Sequence, residues 1–155
     1  MAPRYTVRKA VPGDADALLE LMQALARFEG YIEQFRVTAA DLLERGLSGA
    51  AAAQFTALVA ADEAGQLAGY AVVYRVPYTY DLRPNLELKE LYVNADARGL
   101  GIGHALMETV IALGRATGCA RLKWDVLSSN AAAKDFYRRL GGAHDQRWEG
   151  WIRAL

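Results

Sequence analysis

The stretch from residue 86 to residue 127 constrains the fold more than any other. "LELKELYV" reads as a strand, and "NADARGLGIG" then interrupts it with glycines at 99, 101 and 103. Leu106, Val110, Leu113 and Thr117 recur at helical spacing as far as Gly118, and "ARLKWDVL" reads as a second strand. A strand, a helix and a strand joined this closely predict a βαβ unit, with its two strands parallel and its crossover right-handed.

The rest of the chain must complete a sheet around that unit. "YTVRKAV" predicts a first strand, and "PGDAD" breaks it and offers caps for a helix. Leu18, Leu21, Met22, Leu25 and Phe28 mark that helix's apolar face. "TAADLLERGL" predicts a second, short helix with Thr38 as its cap and Gly46 near its end. "AQFTALVAAD" and "LAGYAVVYRV" flank "EAGQ" and predict a hairpin turning at Gly65. "NAAAKDFYRRLGG" predicts a last helix and "HDQRWEGWIRA" a closing strand. The class is α/β, a mixed sheet with helices on both faces. At 155 residues, one domain spanning 1–155 accommodates all of it.

Charge and composition narrow the partners. Eighteen Lys and Arg balance eighteen Asp and Glu, so neither nucleic acid nor an anionic membrane is expected. The single cysteine, Cys119, excludes an intrachain disulfide and reads as a small core residue. Two histidines far apart predict no metal site. No apolar run approaches the roughly 18 residues of a membrane span, and a cytoplasmic location is the expectation.

Glycines at 99, 101 and 103 allow successive main-chain N–H groups to converge on one concavity, and the helix behind adds its own unpaired N–H groups. Such a nest suits phosphate, with Arg98 as a cation at its mouth. A tight strand-to-helix turn without a ligand would use the same residues. A P-loop requires Gly-Lys-Ser/Thr, where this loop ends Gly103-His104-Ala105. A dinucleotide fingerprint starting at Gly101 has Leu106 in its third glycine position, although Asp125 stands near where a ribose-binding acid belongs.

"RGLGIG" resembles the Arg/Gln-x-x-Gly-x-Gly/Ala signature of the GNAT acetyltransferase superfamily, and "NAAAKDFYRRLGG" resembles that superfamily's second motif. Within it, "LARFEGYIEQ", "TAADLLERG", "YTYD", "FYRRLG" and "EGW" are similar to the diamine (spermidine/spermine) and thialysine N-acetyltransferase group. The resemblance implies a strongly twisted sheet of about six to seven strands. It also implies acetyl-CoA as cosubstrate, a small-molecule primary amine as acceptor, and a homodimer. A protein or peptide acetyltransferase and a CoA-binding regulatory module without turnover are the alternatives.

Acetyl transfer to an amine needs a base, because an alkylamine with a pKa of about 10 is protonated at neutral pH. It needs a preorganised donor for the carbonyl oxygen, worth roughly 3 kcal/mol, and an acid for the leaving thiolate. Tyr137 lies on the last helix's apolar face with Ala133, Phe136 and Leu140, and the resemblance makes it that acid. The resemblance assigns Leu91, Tyr92 and Val93 to the thioester arm, and Arg98, Gly99, Leu100, Gly101, Ile102, Gly103 and His104 to the pyrophosphate. Asn130 reads as a helix cap or, with Ala133, as a cofactor contact. Strand alternation places Glu87, Lys89, Leu91 and Val93 on one face and Leu88, Glu90 and Tyr92 on the other. The diamine enzymes carry a catalytic glutamate where this chain has Lys89, so Glu87 becomes the expected base. Glu29, Asp81, Lys89, Glu90, Trp124 and Asp125 complete the expected acceptor site, and Trp148 and Trp151 are expected to cover the sheet or a dimer contact.

Overall fold

The computed structural model describes residues 4–49 and 51–155, which divide into two compact units, 1–125 and 126–155. In the first unit, strand β1 (Tyr5–Lys9) leads through a 3-10 turn at Pro12–Asp14 into helix α1 (Ala15–Glu29). Asp14 is only 7% exposed, and three donors satisfy its carboxylate. They are Arg8 Nη1 at 2.7 Å, Arg8 Nη2 at 3.0 Å and the Val11 main-chain N–H at 2.8 Å. A buried carboxylate is tolerated only with such partners; here they pin the end of β1 to the start of α1.

Thr38 caps helix α2 (Ala39–Leu42) reciprocally with Asp41, each side chain bonding the other's main-chain N–H. The helix widens at once into a π turn at Leu43–Leu47. Gly46 in that turn lies against Phe55, and a Cβ there would fall 2.3 Å from the ring. Strands β2 (Thr56–Asp62) and β3 (Leu67–Val76) form the hairpin, and β4 (Asn85–Val93) returns beside β3. Helix α3 (Ile102–Ala116) then crosses to β5 (Arg121–Trp124).

The sheet has five strands in the order β1-β2-β3-β4-β5. Neighbours are antiparallel except β4 and β5, which are parallel as the βαβ pattern requires, from Asn85↔Arg121 to Leu88↔Trp124. One face carries α1 and α2 over Ala57, Val59, Tyr70 and Val72. The other carries α3, whose Ile102 lies by Gly69 and whose Gly114 lies against Leu86. The second unit holds α4 (Ala131–Arg139), and none of its residues is fully buried.

Three expectations are corrected. No closing strand forms over 144–154, and among the described residues the sheet has five strands where six to seven are expected. A strand exists only where a ladder partners it, and this segment's apolar residues, Trp148, Trp151 and Ile152, do not alternate. They stand 71%, 90% and 100% exposed. Phe28 likewise leaves the apolar face of α1 and is 56% exposed.

The third correction concerns β4. Val72 pairs with Glu90 but Val73 pairs with Leu88, so Lys89 is an extra residue in a β-bulge. A bulge shifts the alternation by one. Leu86, Leu88, Leu91 and Val93 therefore share the α3 face, whereas Glu87, Glu90 and Tyr92, opposite Tyr74, Val72 and Tyr70, share the α1 face.

Candidate active site

The exit of β4 builds the first half of the site from main chain. Gly99 and Gly101 adopt φ of 79° and 80°, in the left-handed region that side chains disfavour. A Cβ at either would meet no protein atom within 4 Å, so the space above the loop is open. Leu100 is half exposed, while Ile102 and Leu106 are buried and hold the start of α3 to the sheet. No side chain caps that helix, so its first N–H groups keep their bonding capacity on the same side as the loop. His104 Nε2 pairs instead with Glu108 Oε1, one turn further on, at 3.1 Å.

Arg98 is braced. Its Nε donates to Val93 O at 3.1 Å, and its guanidinium lies 5.5 Å from the Phe28 ring centre and 5.7 Å from that of Tyr92. These cation–π contacts explain the exposed Phe28, which ties the end of α1 to the loop. The ladder from β4 to β5 stops at Leu88↔Trp124, so Lys89 to Val93, including Leu91, carry no bonds to β5. That edge has main-chain groups available for a ligand.

The second half lies on the α1 face. A cavity of about 360 Å³ opens between α1, α2 and the bulge. Met22, Phe35, Val37, Leu42, Phe55 and Val72 give it apolar walls, and Arg36, Asp41, Arg45, Lys89 and Glu90 give it charge. Burial pushes the Glu90 carboxyl above its ordinary value, with Lys89 and the Tyr70 hydroxyl opposing and Glu29 reinforcing the shift. Tyr70 beneath it is fully buried, and its hydroxyl makes no well-formed hydrogen bond. The carboxyl of Glu90 is the charge acting most strongly on that phenol. Tyr31 stands in the same field, its hydroxyl pushed up to about 12 by burial and then by Glu90 and Glu29.

The structure thus brings Glu29, Lys89 and Glu90 together and leaves other expected residues apart. Glu87 is half-buried on the same face of β4, its carboxyl raised by burial and by Asp125 and lowered by Lys123, but it does not line the cavity. Trp124 and Asp125 lie at the end of β5 beside it. Asp81 is committed elsewhere: Arg121 Nη2 meets its carboxylate at 2.8 Å, which holds it far below the usual carboxylate range. The same arginine donates to Asn85 Oδ1 and Tyr80 Oη and stacks 4.9 Å from the Tyr80 ring centre, pinning the loop before β4.

In the second unit Asn130 is a helix cap, its Oδ1 accepting from Ala133 N at 3.1 Å. Tyr137 is half-buried, and its ring packs edge-on against Phe136 with centres 5.3 Å apart. The sequence reading missed Tyr31, Arg36, Arg45, Tyr70 and Arg121. Tyr70 alone had a local signal, since it alternates with buried residues on β3; the arginines carried none.

The model of the Acetyltransferase (GNAT) family matches residues 16–142. A thialysine N-epsilon-acetyltransferase of Bos taurus is 28% identical over 150 residues, covering 94% of this chain and 88% of that protein. A spermidine/spermine N(1)-acetyltransferase-like protein 1 of Homo sapiens is 30% identical over 95% of this chain but only 22% of its own length. Among solved structures, an aminoglycoside acetyltransferase from an uncultured soil metagenomic sample superposes with a TM-score of 0.80 at 16% identity. It covers 97% of this chain and 96% of that one, a likeness of fold. Among the described residues, no helix is long and apolar enough to cross a membrane.

Proposed function

Because the chain belongs to the GNAT family of acetyltransferases, we propose that it moves an acetyl group from acetyl-CoA to the primary amine of a small molecule by direct attack. One observation carries this reading. The strand that exits into the open glycine loop also presents Glu90, a carboxyl raised by burial, to a cavity of small-molecule size. About 360 Å³ lies near the lower end of the roughly 300–1,000 Å³ usual for such pockets. This favours a small acceptor over an extended peptide.

The loop fits a diphosphate: positive-φ glycines leave its amides unobstructed, an uncapped helix N-terminus lies behind, and Arg98 stands at the edge. Bound acetyl-CoA supplies an activated acyl carbon and a thiolate leaving group. The chain supplies the rest. Glu90 takes the ammonium proton of the acceptor, the apolar walls hold its alkyl chain, and the charge of Glu29, acting on Glu90 from the end of α1, favours a cation there. Leu91, Tyr92 and Val93 offer main-chain groups on the unpaired edge of β4. Tyr137 Oη gives its proton to the departing sulfur.

We assign the base to Glu90 ahead of Glu87 because Glu90 lines the cavity. A carboxyl raised toward neutrality is a better proton acceptor at working pH than an ordinary one. We further propose that both units serve one acetyltransferase domain, since the family match runs across their boundary, and that the enzyme is a homodimer, which sedimentation velocity tests.

The deciding assay measures thiol release from acetyl-CoA against added amines and peptides. Release that depends on a small amine supports the reading; release with peptides alone overturns it. Acetyl-CoA binding with no amine-dependent release would leave a CoA-binding regulatory module.

A further inference from the structure

The charges around the cavity select what fills it. Arg36 and Lys89 have no carboxylate within 4.0 Å among the described residues. The guanidinium of Arg36 donates only to the Glu33 and Phe35 carbonyls. Arg45 has a distant partner in Asp41 at 4.0 Å, and Asp41 is already committed to the Thr38 N–H and hydroxyl. Glu90 also lacks a salt bridge, although Lys89 is its neighbour in the bulge. One small cavity therefore holds a carboxyl on β4 that has the Tyr70 hydroxyl beneath it but no salt bridge, cations on β4 and before α2 with no carboxylate within 4.0 Å among the described residues, and apolar walls between them.

A polyamine placed there would satisfy Glu90 with one ammonium and press its others against Lys89, Arg36 and Arg45. Like charges brought together in a partly desolvated site are strongly unfavourable. A molecule with an amine at one end, a carboxylate at the other and an alkyl chain between would match every element. The strand-pairing geometry adds a second reason. The bulge turns Lys89 and Glu90 toward the same cavity, so the cation cannot be dismissed as a side chain on the opposite face.

We propose that the acceptor is a zwitterion of the ω-amino acid type, its amine at Glu90 and its carboxylate at Lys89 with Arg36 or Arg45, and that Lys89 excludes polyamines. This rests on the acetyl-transfer reading above for the acceptor's role, but the charge preference of the cavity stands apart from turnover.

The test compares ε-aminocaproate with cadaverine, two alkylamines that differ in carrying a carboxylate or a second ammonium at the far end. Spermidine serves as a third probe. Thiol release and calorimetric binding are both measured, in wild type and in Lys89→Glu. Lys89 is exposed on the bulge, so the variant should fold, and unchanged acetyl-CoA affinity confirms that it has. The proposal expects kcat/KM for ε-aminocaproate to exceed that for cadaverine by about tenfold or more. Lys89→Glu should erase or invert the ratio, and Arg36→Gln should narrow it.

Equal or better use of cadaverine by wild type would overturn the proposal, as would a preference untouched in Lys89→Glu. Preferential binding of ε-aminocaproate with no thiol release from any amine would sink the acetyl-transfer reading and leave the zwitterion site standing. Neither binding nor release with any probe would end both.

Discussion

The glycine loop that follows β4 and the cavity at the bulge in the middle of that strand are built on opposite principles. Between Gly99 and His104 the groups open to a ligand are main-chain amides, left unobstructed by the lack of side chains at Gly99 and Gly101. Around the bulge at Lys89 the polar groups are charged side chains drawn from the segment before α2, α2 with its π turn, and β4. The first kind of site tolerates side-chain replacement wherever the backbone can keep its shape. The second depends on single charges and can change its ligand with one substitution. A family can thus keep its donor while changing its acceptor.

Substitutions on the cavity side should have the largest effect on turnover. Glu90→Gln should lower kcat by about 10²-fold or more, the usual span for a lost general base. Glu87→Gln should cost far less; equal losses would return Glu87 to the position of base. Activity in wild type should rise with pH as the raised Glu90 carboxyl ionises, and a kcat–pH profile lacking that limb would count against it.

Tyr137→Phe comes next, an about 10²-fold fall in kcat with acetyl-CoA affinity unchanged, read by stopped assays and titration. Full turnover with chemistry rate-limiting would remove the tyrosine from the mechanism.

On the main-chain side, Gly101→Val should weaken acetyl-CoA binding by about tenfold or more. It strains a positive φ by roughly 1–2 kcal/mol and fills the space above the amides. Leu100→Ala, which keeps every amide, should change affinity by less than about twofold. If Leu100 mattered as much as Gly101, the contrast between main-chain and side-chain sites would fail.

The smallest effects concern stability. Burial raises the Glu90 carboxyl, so the folded state binds that proton more tightly than the unfolded one. Its contribution is therefore most favourable below the ordinary carboxylate range and declines as pH rises through the folded value. Glu90→Gln should raise Tm at neutral pH and lose that advantage in acid, a trade of stability for function. Arg121→Met should lower Tm slightly while leaving the acceptor KM within about twofold, because Arg121 and Asp81 brace a loop outside the cavity.

Much of this organisation was legible in the residues. The α1 stripe of Leu18, Leu21, Met22 and Leu25 is buried as the spacing predicts, Thr38 and Asn130 cap their helices, and β4 and β5 are parallel. The stripe and the caps depend on residues within a few positions of one another, and the parallel pair on the order of strand, helix and strand. The closing strand failed because pairing is not a local property, and Phe28 left its stripe because Arg98, far along the chain, offered it a cation.

The sequence by itself determined the form of the glycine loop, since glycine spacing dictates where left-handed turns and unblocked amides fall. Only the tertiary structure decided which carboxyl faces the cavity. A single extra residue on β4, fixed by its pairing with β3, moved Glu87 and Glu90 onto one face and carried Lys89 with them. Strict alternation holds only while the ladder is regular, and nothing local in "LELKELYV" says where that regularity breaks.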